Sequence, residues 1–327
     1  MIEVISTGAL ATVQDLGRVG ALNLGVGTSG AMDPMALTAG NILLGNADDA
    51  AGIELPILPF VVRFTMPAVF AITGADCAAT LDDAPVLPWW AVQAAAGQIL
   101  TLNTPSPHAR WRAARAYLCL AGGIDVPVQL GSRSTQLRGA FGGLEGRPLR
   151  AGDRLRCGES TPVRADIGIT PPVFDLGVEV DGLPALRVLP AAEFDDYTPH
   201  AHEVLWSSPW KITAQSDRYG YRLAGAALTP LRPLEMRSHG IVPGVIQVPP
   251  NGQPIIQMRD AQPSGGYPKI GTVIEADLWR LGQAPVGSSI RFLHCTWAEA
   301  LAASEANDRW LANLRRLAGL HRLRAAP

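Results

Sequence analysis

Short apolar runs broken by glycine, proline and aspartate recur along the whole chain. Phe60-Val61-Val62-Arg63-Phe64, Val69-Phe70-Ala71-Ile72 and Ala116-Tyr117-Leu118-Cys119-Leu120 are examples. Runs of this length with this punctuation predict short strands of an all-β sandwich or barrel. Long helices do not alternate with them, which argues against a Rossmann or TIM-barrel architecture. The pattern is densest from Ser238 to Phe292. There Val245-Ile246-Gln247-Val248 and Ile255-Ile256-Gln257-Met258 flank one polar turn carrying Arg259, Asp260, Gln262, Ser264, Tyr267 and Lys269. Polar groups on a stiff loop between strands mark a candidate site.

Two segments carry helical signals instead. Asp33-Pro34 supplies an N-cap and a first-turn proline, Met35, Leu37 and Ile42 to Leu44 follow, and Gly45 offers a C-terminal stop. Thr296-Trp297-Ala298-Glu299 has capping-box spacing. Trp297, Leu301, Trp310, Leu314 and Leu317 then recur at mostly helical intervals, predicting a helix to about Ala318, before Gly319.

A weak internal repeat organises the rest. Thr12-Val13-Gln14-Asp15-Leu16-Gly17-Arg18-Val19-Gly20 and Thr213-Ala214-Gln215-Ser216-Asp217-Arg218-Tyr219-Gly220 both give T-x-Q and then Arg-x-Gly, with one gap. A second module, a Gly-polar turn feeding alternating apolar positions, occurs at Ala96-Gly97-Gln98, Ala151-Gly152-Asp153 and Val286-Gly287-Ser288. Two related β subdomains are expected, with the proline-rich stretch from Thr161 as their connection. The boundaries drawn are 1–160, 161–185, 186–295 and a C-terminal helical segment 296–327.

Composition narrows the function classes. The chain has 327 residues, a net charge of −2 and 17% charged residues, against roughly 25% in an average soluble domain. Low charge fits either a large protein interface or an alanine-rich composition. No basic footprint for nucleic acid is present; the mildly basic tail from Arg315 onward reads as a solvated helix end. The four cysteines form no CxxC pair, and Cys119 and Cys157 read as small buried hydrophobes. No signal peptide or membrane-length apolar stretch appears, so the expected compartment is the cytoplasm.

The P-loop, GxSxG and HExxH signatures are absent. His200-Ala201-His202, beside Pro199, reads as two surface histidines on a loop, and no metal site is expected. In the N-terminal half, Gln14, Asp15, Arg18, Ser29 and Asp33 are the candidates. Arg18 suits a carboxylate, or forms a structural ion pair with Asp15. Asp33 reads as a helix cap. Ser29-Gly30 would set backbone amides and a hydroxyl at a helix N-terminus, which suits an anion. In the C-terminal half, Ser216, Asp217, Arg218, Asp260, Gln262, Tyr267 and Lys269 either bind a ligand or form the ion pairs Asp217–Arg218 and Asp260–Lys269 at strand ends.

Several of these stretches, in order along nearly the whole chain, resemble one family. They are TVQDLGRVG…LGVGTSGAMDPMALTAGNILLGN at 12–46, GGIDVP…LGSRST at 122–135, SDRYGYRL at 216–223 and IQVPPNGQPII…GGYPKIGTVIEADL at 246–278. They are similar to the biotin-dependent carboxyltransferase, or allophanate hydrolase subunit 2, family. The resemblance implies a mainly β chain of two cyclophilin-like β-barrel subdomains, with a few short helices and a C-terminal helix. Stand-alone members resemble the C-type subunit of bacterial ATP-dependent 5-oxoprolinases. This implies a part in opening 5-oxo-L-proline to L-glutamate together with an A-type and a KipI-like, B-type subunit. Other branches imply a carboxyltransferase module of a urea-carboxylase-like system, or a KipA-like regulator that binds a kinase inhibitor.

On the main reading the chain binds no cofactor alone and is inactive alone. The complex uses ATP, and biotin enters only under the urea-carboxylase alternative. Arg218, Tyr267 and Lys269 are the expected catalytic residues, and Asp15, Arg18, Ser29, Ser216, Asp217, Asp260 and Gln262 the expected substrate-binding residues. The chain departs from the family pattern where relatives read DRQTTGGYP: Ala261 replaces an arginine and Pro263 removes a backbone donor. His239 stands where relatives commonly carry glutamate.

Overall fold

The computed structural model describes residues 1–105, 109, 111–160 and 165–324. Of the connection expected at 161–185, residues 161–164 lie outside the described residues. The chain is mainly β, with 29% strand against 21% helix, and it divides into two compact units.

The first unit holds residues 1–18, 29–175 and 309–327. One of its sheets orders Arg154–Leu155, Ile2–Ser6, Phe60–Phe64, Ile99–Leu102, Thr80–Leu81 and Ala84–Pro85. The other orders Thr12–Gln14, Gly52–Leu55, Ala116–Leu120, Ala68–Gly74 and Ala91–Ala94. Ile2, Val4, Phe60, Val62 and Phe64 of the first sheet share one core with Ile53, Leu55, Phe70, Ile72, Leu118 and Leu120 of the second.

The helix Pro34–Leu43 covers the opposite face of the second sheet. The strand Ala116–Leu120 is therefore buried on both faces. Ala116, Leu118 and Leu120 enter the inter-sheet core, while Tyr117 and Cys119 meet Ala36, Leu37 and Ile42. Its unbroken apolar run reflects that double burial. Gly40 permits the close approach, since a Cβ there would stand 2.6 Å from Cys119 Sγ. Asp33 caps the helix by accepting from Ala36 N at 2.9 Å, and Gly45 follows it at φ 70°.

The second unit holds residues 19–28 and 176–308. Seven strands run around it in the order Leu183–Pro190, Lys269–Val273, Val245–Gln247, Ile255–Gln257, Gly220–Ala224, Trp210–Ile212 and Ser289–His294. Parallel pairing of Ala185 with Arg291 through Val188 with His294 closes the barrel. Buried Trp210, Tyr221, Leu223, Ile246, Ile256, Ile270, Ile290 and Phe292 alternate with more exposed positions along these strands. The short strand Glu179–Val180, from within the expected connection, pairs with Leu183 and Pro184.

The three Gly-polar turns adopt one conformation. Gly97, Gly152 and Gly287 have φ 91°, 89° and 88°, and each stands two positions before the first residue of a strand. The capping box of the C-terminal helix Trp297–Arg324 also forms: Thr296 N donates to Glu299 Oε2 at 2.7 Å, and Glu299 N donates to Thr296 Oγ1 at 3.3 Å. That helix runs through Gly319. A mid-helix glycine costs about 1 kcal/mol relative to alanine, which packing beyond it overrides. Ala318 is buried in the core, the Arg322 guanidinium donates to Ile42 O, and Arg315 pairs with Asp48. The tail is thus docked rather than solvated.

His200 and His202 lie on a helix, Pro199–Ser207, and not on a loop. Thr198 caps it through Ala201 N at 3.1 Å, with Pro199 in the first turn. His202 stacks on Phe194 with ring centroids 4.0 Å apart.

Candidate functional site

Both copies of the T-x-Q repeat end in the same local device. Asp15 Oδ1 accepts from Gly17 N at 2.8 Å, and Asp217 Oδ1 accepts from Tyr219 N at 2.8 Å and Gly220 N at 3.2 Å. These are Asx turns, with the side chain substituting for a backbone acceptor. Each turn delivers an arginine into the interior: Arg18 is 0% exposed and Arg218 is 6% exposed. A buried guanidinium is costly without well-placed acceptors. The two units supply different ones.

In the barrel unit, Arg218 lays its fork on Asp260, with Nε to Oδ2 at 2.9 Å and Nη2 to Oδ1 at 3.0 Å. Asp260 N returns a bond to Arg218 O at 2.8 Å. The loop beyond is fastened at several points. Arg259 Nη2 donates to Glu275 Oε1 at 3.0 Å, and Thr28 Oγ1 donates to Arg259 O at 3.1 Å. Ser264–Gly265 pairs with His239–Gly240, and Ile241 N donates to Pro263 O at 3.0 Å. That last contact draws on the carbonyl at 263, so a proline is tolerated there.

Lys269, one of only two lysines in the chain, belongs to a different pair. Its Nζ lies 3.7 Å from Glu193 Oε2, and its backbone N–H donates to the same oxygen at 3.0 Å. Register explains the separation from Asp260. Gly220 stands across from Gln257 beside the Arg218 turn, whereas Lys269 stands across from Gln247, itself paired with Ile255. Two residues of strand, about 7 Å, divide those levels. Ser216 Oγ accepts from Arg222 N at 3.0 Å and so supports its own turn. Tyr267, 46% exposed, and Gln262 face solvent. Beneath them Gln257 Nε2 donates to Gln247 Oε1 at 3.0 Å, and Gln247 Nε2 to Tyr267 O at 3.2 Å.

In the first unit, Asp15 is saturated. Besides Gly17 N, its carboxylate accepts from Ser132 Oγ at 2.6 Å, Ser134 Oγ at 2.5 Å and Arg133 N at 2.5 Å. Arg18 donates to Gln129 O at 3.2 Å and to Ser134 O, and lies 4.6 Å from the Phe141 ring centroid. The LGSRST stretch is thereby clamped between an aspartate and an arginine. Gly142, at φ 71°, seals it, since a Cβ there would collide with Ser134 O and Arg18.

The helix N-terminus expected to receive an anion is filled by the protein's own acceptors. Met32 N donates to Glu54 Oε2 at 2.8 Å and Asp33 N to Tyr117 Oη at 2.8 Å. Tyr117 Oη donates to Glu54 Oε2 at 2.7 Å, and Arg115 Nε lies 3.8 Å from Glu54 Oε1. Burial, and next the Glu54 charge, push the Tyr117 phenol far up. With Asp33 and Glu54 already there, a further negative charge is disfavoured. Ser29 nevertheless keeps a buried hydroxyl, and Gln14 a buried Oε1, without a hydrogen-bond partner among the described residues.

Sequence reasoning missed Glu54, Tyr117, Glu193, Gln247 and Gln257. Glu54 was signalled by a carboxylate inside the apolar run Gly52–Leu55. The glutamines were signalled by the twice-used apolar-apolar-Gln ending of Val245–Gln247 and Ile255–Gln257.

Among the described residues no helix is long and apolar enough to cross a membrane. The chain is 42% identical over 320 residues to the C-type subunit of 5-oxoprolinase from Escherichia coli K12, covering 96% of this chain and 97% of that protein. It is 42% identical over 319 residues to the same 5-oxoprolinase component of Haemophilus influenzae, covering 97% and 98%. Urea amidolyase of Lachancea kluyveri is 31% identical over 94% of this chain, which spans 17% of that protein. Among solved structures, the K. lactis urea amidolyase superposes with a TM-score of 0.85 at 27% identity, covering 96% of this chain and 20% of that one. The family model described as carboxyltransferase domain, subdomain A and B, matches residues 24–294. The chain belongs to this carboxyltransferase-domain family.

Proposed function

We propose that this chain is the C-type subunit of an ATP-dependent 5-oxoprolinase and acts in the cytoplasm with an A-type and a KipI-like, B-type subunit. One observation carries the reading: the 42% match spans 97% of the Escherichia coli protein, end to end, whereas the amidolyases resemble the chain over a minor part of their length. In the reaction one water adds across the lactam C–N bond to give glutamate, while a second is consumed as ATP becomes ADP and phosphate. The amide is resonance-stabilised, so its carbonyl must be activated, and the sequence carries no P-loop for that purpose. ATP is handled on a partner protein, and the isolated chain is inactive.

In the barrel unit Tyr267 and Lys269 meet the substrate, with Gln262 beside them on the same loop. Lys269 supplies a cation only loosely engaged by Glu193, at 3.7 Å, suited to a carboxylate or a developing oxyanion. Arg218 acts through Asp260 as a positioning residue, and Ser216 and Asp217 hold the turn that aims it. No Met-Lys-Met biotin-attachment sequence is present, so under the carboxyltransferase alternative the carboxyl carrier is another protein.

Co-purification with the two partner proteins, followed by glutamate release from 5-oxoproline and ATP, tests the assignment. All three together are expected to turn over and the isolated chain is not. Turnover by the chain alone, or carboxylation of urea by the complex in place of lactam opening, overturns it.

A further inference from the structure

We propose that Glu193 is a positioning residue for Lys269: it holds the ammonium by charge, with the N–H donors left free, for an oxygen of the substrate. The inference deepens the function proposed above and rests on its placing of substrate at Lys269. The arrangement itself rests on register and distances within the barrel unit.

An irregularity in one strand pair sets it up. Ile246 stands across from Gly271, but Gln247 stands across from Lys269, so Ile270 is an extra residue against Val245–Gln247. On its other side Ile270 O accepts from Ala191 N at 3.3 Å. Side chains alternate along a strand, and one extra residue reverses every position beyond it. Val273 is buried, and without the bulge Lys269, four positions away, would face the same core. Ile270 is buried as well, and a Cβ on Gly271 would stand 2.5 Å from Val188 Cγ1. The bulge therefore turns Lys269 out of the core, and 20% of its side chain is exposed.

The turn that carries it is fastened at three consecutive residues. Gln247 Nε2 donates to Tyr267 O at 3.2 Å, Val248 N to Pro268 O at 2.9 Å, and Lys269 N to Glu193 Oε2 at 3.0 Å. Glu193 lies three positions past the strand Leu183–Pro190. There Phe194 N donates to Ala191 O at 3.1 Å and Asp196 N to Glu193 O at 3.2 Å, which folds the chain back. One carboxylate oxygen thus engages both the backbone and the head group of the same lysine. At 3.7 Å the Nζ contact is longer than a hydrogen bond, so the ammonium donors are not committed to Glu193. A lysine stem is flexible, and a fixed counter-charge limits where its head can lie. A donor held in this way can bond an uncharged lactam carbonyl, and the bond strengthens as negative charge develops on that oxygen.

The test is a double-mutant cycle in the complex of all three proteins, with wild-type chain, Glu193→Gln, Lys269→Met and both together. Glutamine keeps an oxygen for the Lys269 N–H and removes only the charge. Glu193→Gln is expected to lower kcat at least about tenfold, with KM for 5-oxoproline within about twofold of wild type. Lys269→Met should lower kcat about 100-fold, the loss typical of one oxyanion donor. The double variant should be no worse than Lys269→Met, because Glu193 acts only through the lysine. Glu193→Asp, which restores the charge, should recover part of the rate. A merely structural glutamate would instead lower the melting temperature, and its effect would multiply that of Lys269→Met.

Multiplying effects in the double variant, or a Glu193→Gln kcat within twofold of wild type, overturn the proposal while the assigned reaction stands. A wild-type complex with no 5-oxoproline turnover removes the assigned reaction instead. Acetylation of the full chain by acetic anhydride, read by peptide mass spectrometry, then decides the site. Lys211, the other lysine, is exposed and serves as the reference. Protection of Lys269 but not of Lys211 by 5-oxoproline or by urea, weakened in Glu193→Gln, supports the proposal. Protection by neither ligand, or equal protection in the variant, overturns it.

Discussion

Asp260→Ala should be the most informative single substitution in the barrel unit. It removes two charge-assisted bonds from the guanidinium of Arg218, a residue only 6% exposed. Removing one partner of a buried pair costs about 3–5 kcal/mol, a large share of the roughly 5–15 kcal/mol that holds a domain folded. With a urea m-value of about 2 kcal/mol/M, the barrel's transition should fall by about 1.5–2.5 M. Arg218→Met combined with Asp260→Leu removes both charges, and the cost should shrink to about 1–2 kcal/mol, well below the sum of the singles. Urea titrations of the four proteins, followed by far-UV circular dichroism and fluorescence, give the coupling energy. A single-mutant cost under about 1 kcal/mol, or strict additivity, would show that the fork is not what holds these two loops together.

Other consequences follow from the same contacts. Thr296→Ala, which removes both the hydroxyl acceptor and its bond to Glu299, should destabilise the C-terminal helix by about 1 kcal/mol, read from thermal unfolding. Gly142→Ala should lower stability by at least about 3 kcal/mol, the upper end of the common range for point mutations, because both φ and contact with Ser134 O and Arg18 oppose a methyl; full stability would refute the seal. The Arg147 hydrogen bonds hold the Asp153 carboxyl below its ordinary value. Its stabilisation is therefore complete above about pH 4 and is lost as pH falls through the lowered pKa, and Asp153→Asn should flatten that acid limb. Burial pushes the Cys77 and Cys119 thiols up to about 12, so iodoacetamide at pH 8 should leave both unlabelled in native protein, as mass spectrometry would report.

Local signals in the sequence translated well. The Asp33-Pro34 helix start, the three Gly-polar turns and the Thr296 capping box each rest on residues within a few positions of one another, and each forms. Signals decided at a distance did not. Gly319 reads as a stop until Ala318 and Arg322 find the first unit's core and the Ile42 carbonyl. Pro199 reads as a loop until Thr198 is seen to cap a helix behind it. The ion pairs are the clearest case. Sequence proximity suggested Asp217 for Arg218 and Asp260 for Lys269. Barrel register instead brings Asp260 across to Arg218, 42 positions away, and Glu193 to Lys269, 76 positions away. Strand pairing, invisible in local spacing, chooses the partners.

The parallel seam of the barrel bears on how the protein is made. Leu183–Pro190 meets Ser289–His294 only after roughly a hundred further residues have been synthesised, about 5–20 s of translation at ordinary rates. Until then the growing chain carries two unpaired strand edges on one half-built wall, the form of surface that recruits wrong partners. A nascent chain that stalls before His294 is therefore a natural client for chaperones, and bringing the two seam strands next to each other by circular permutation is the rearrangement most apt to shorten that exposure.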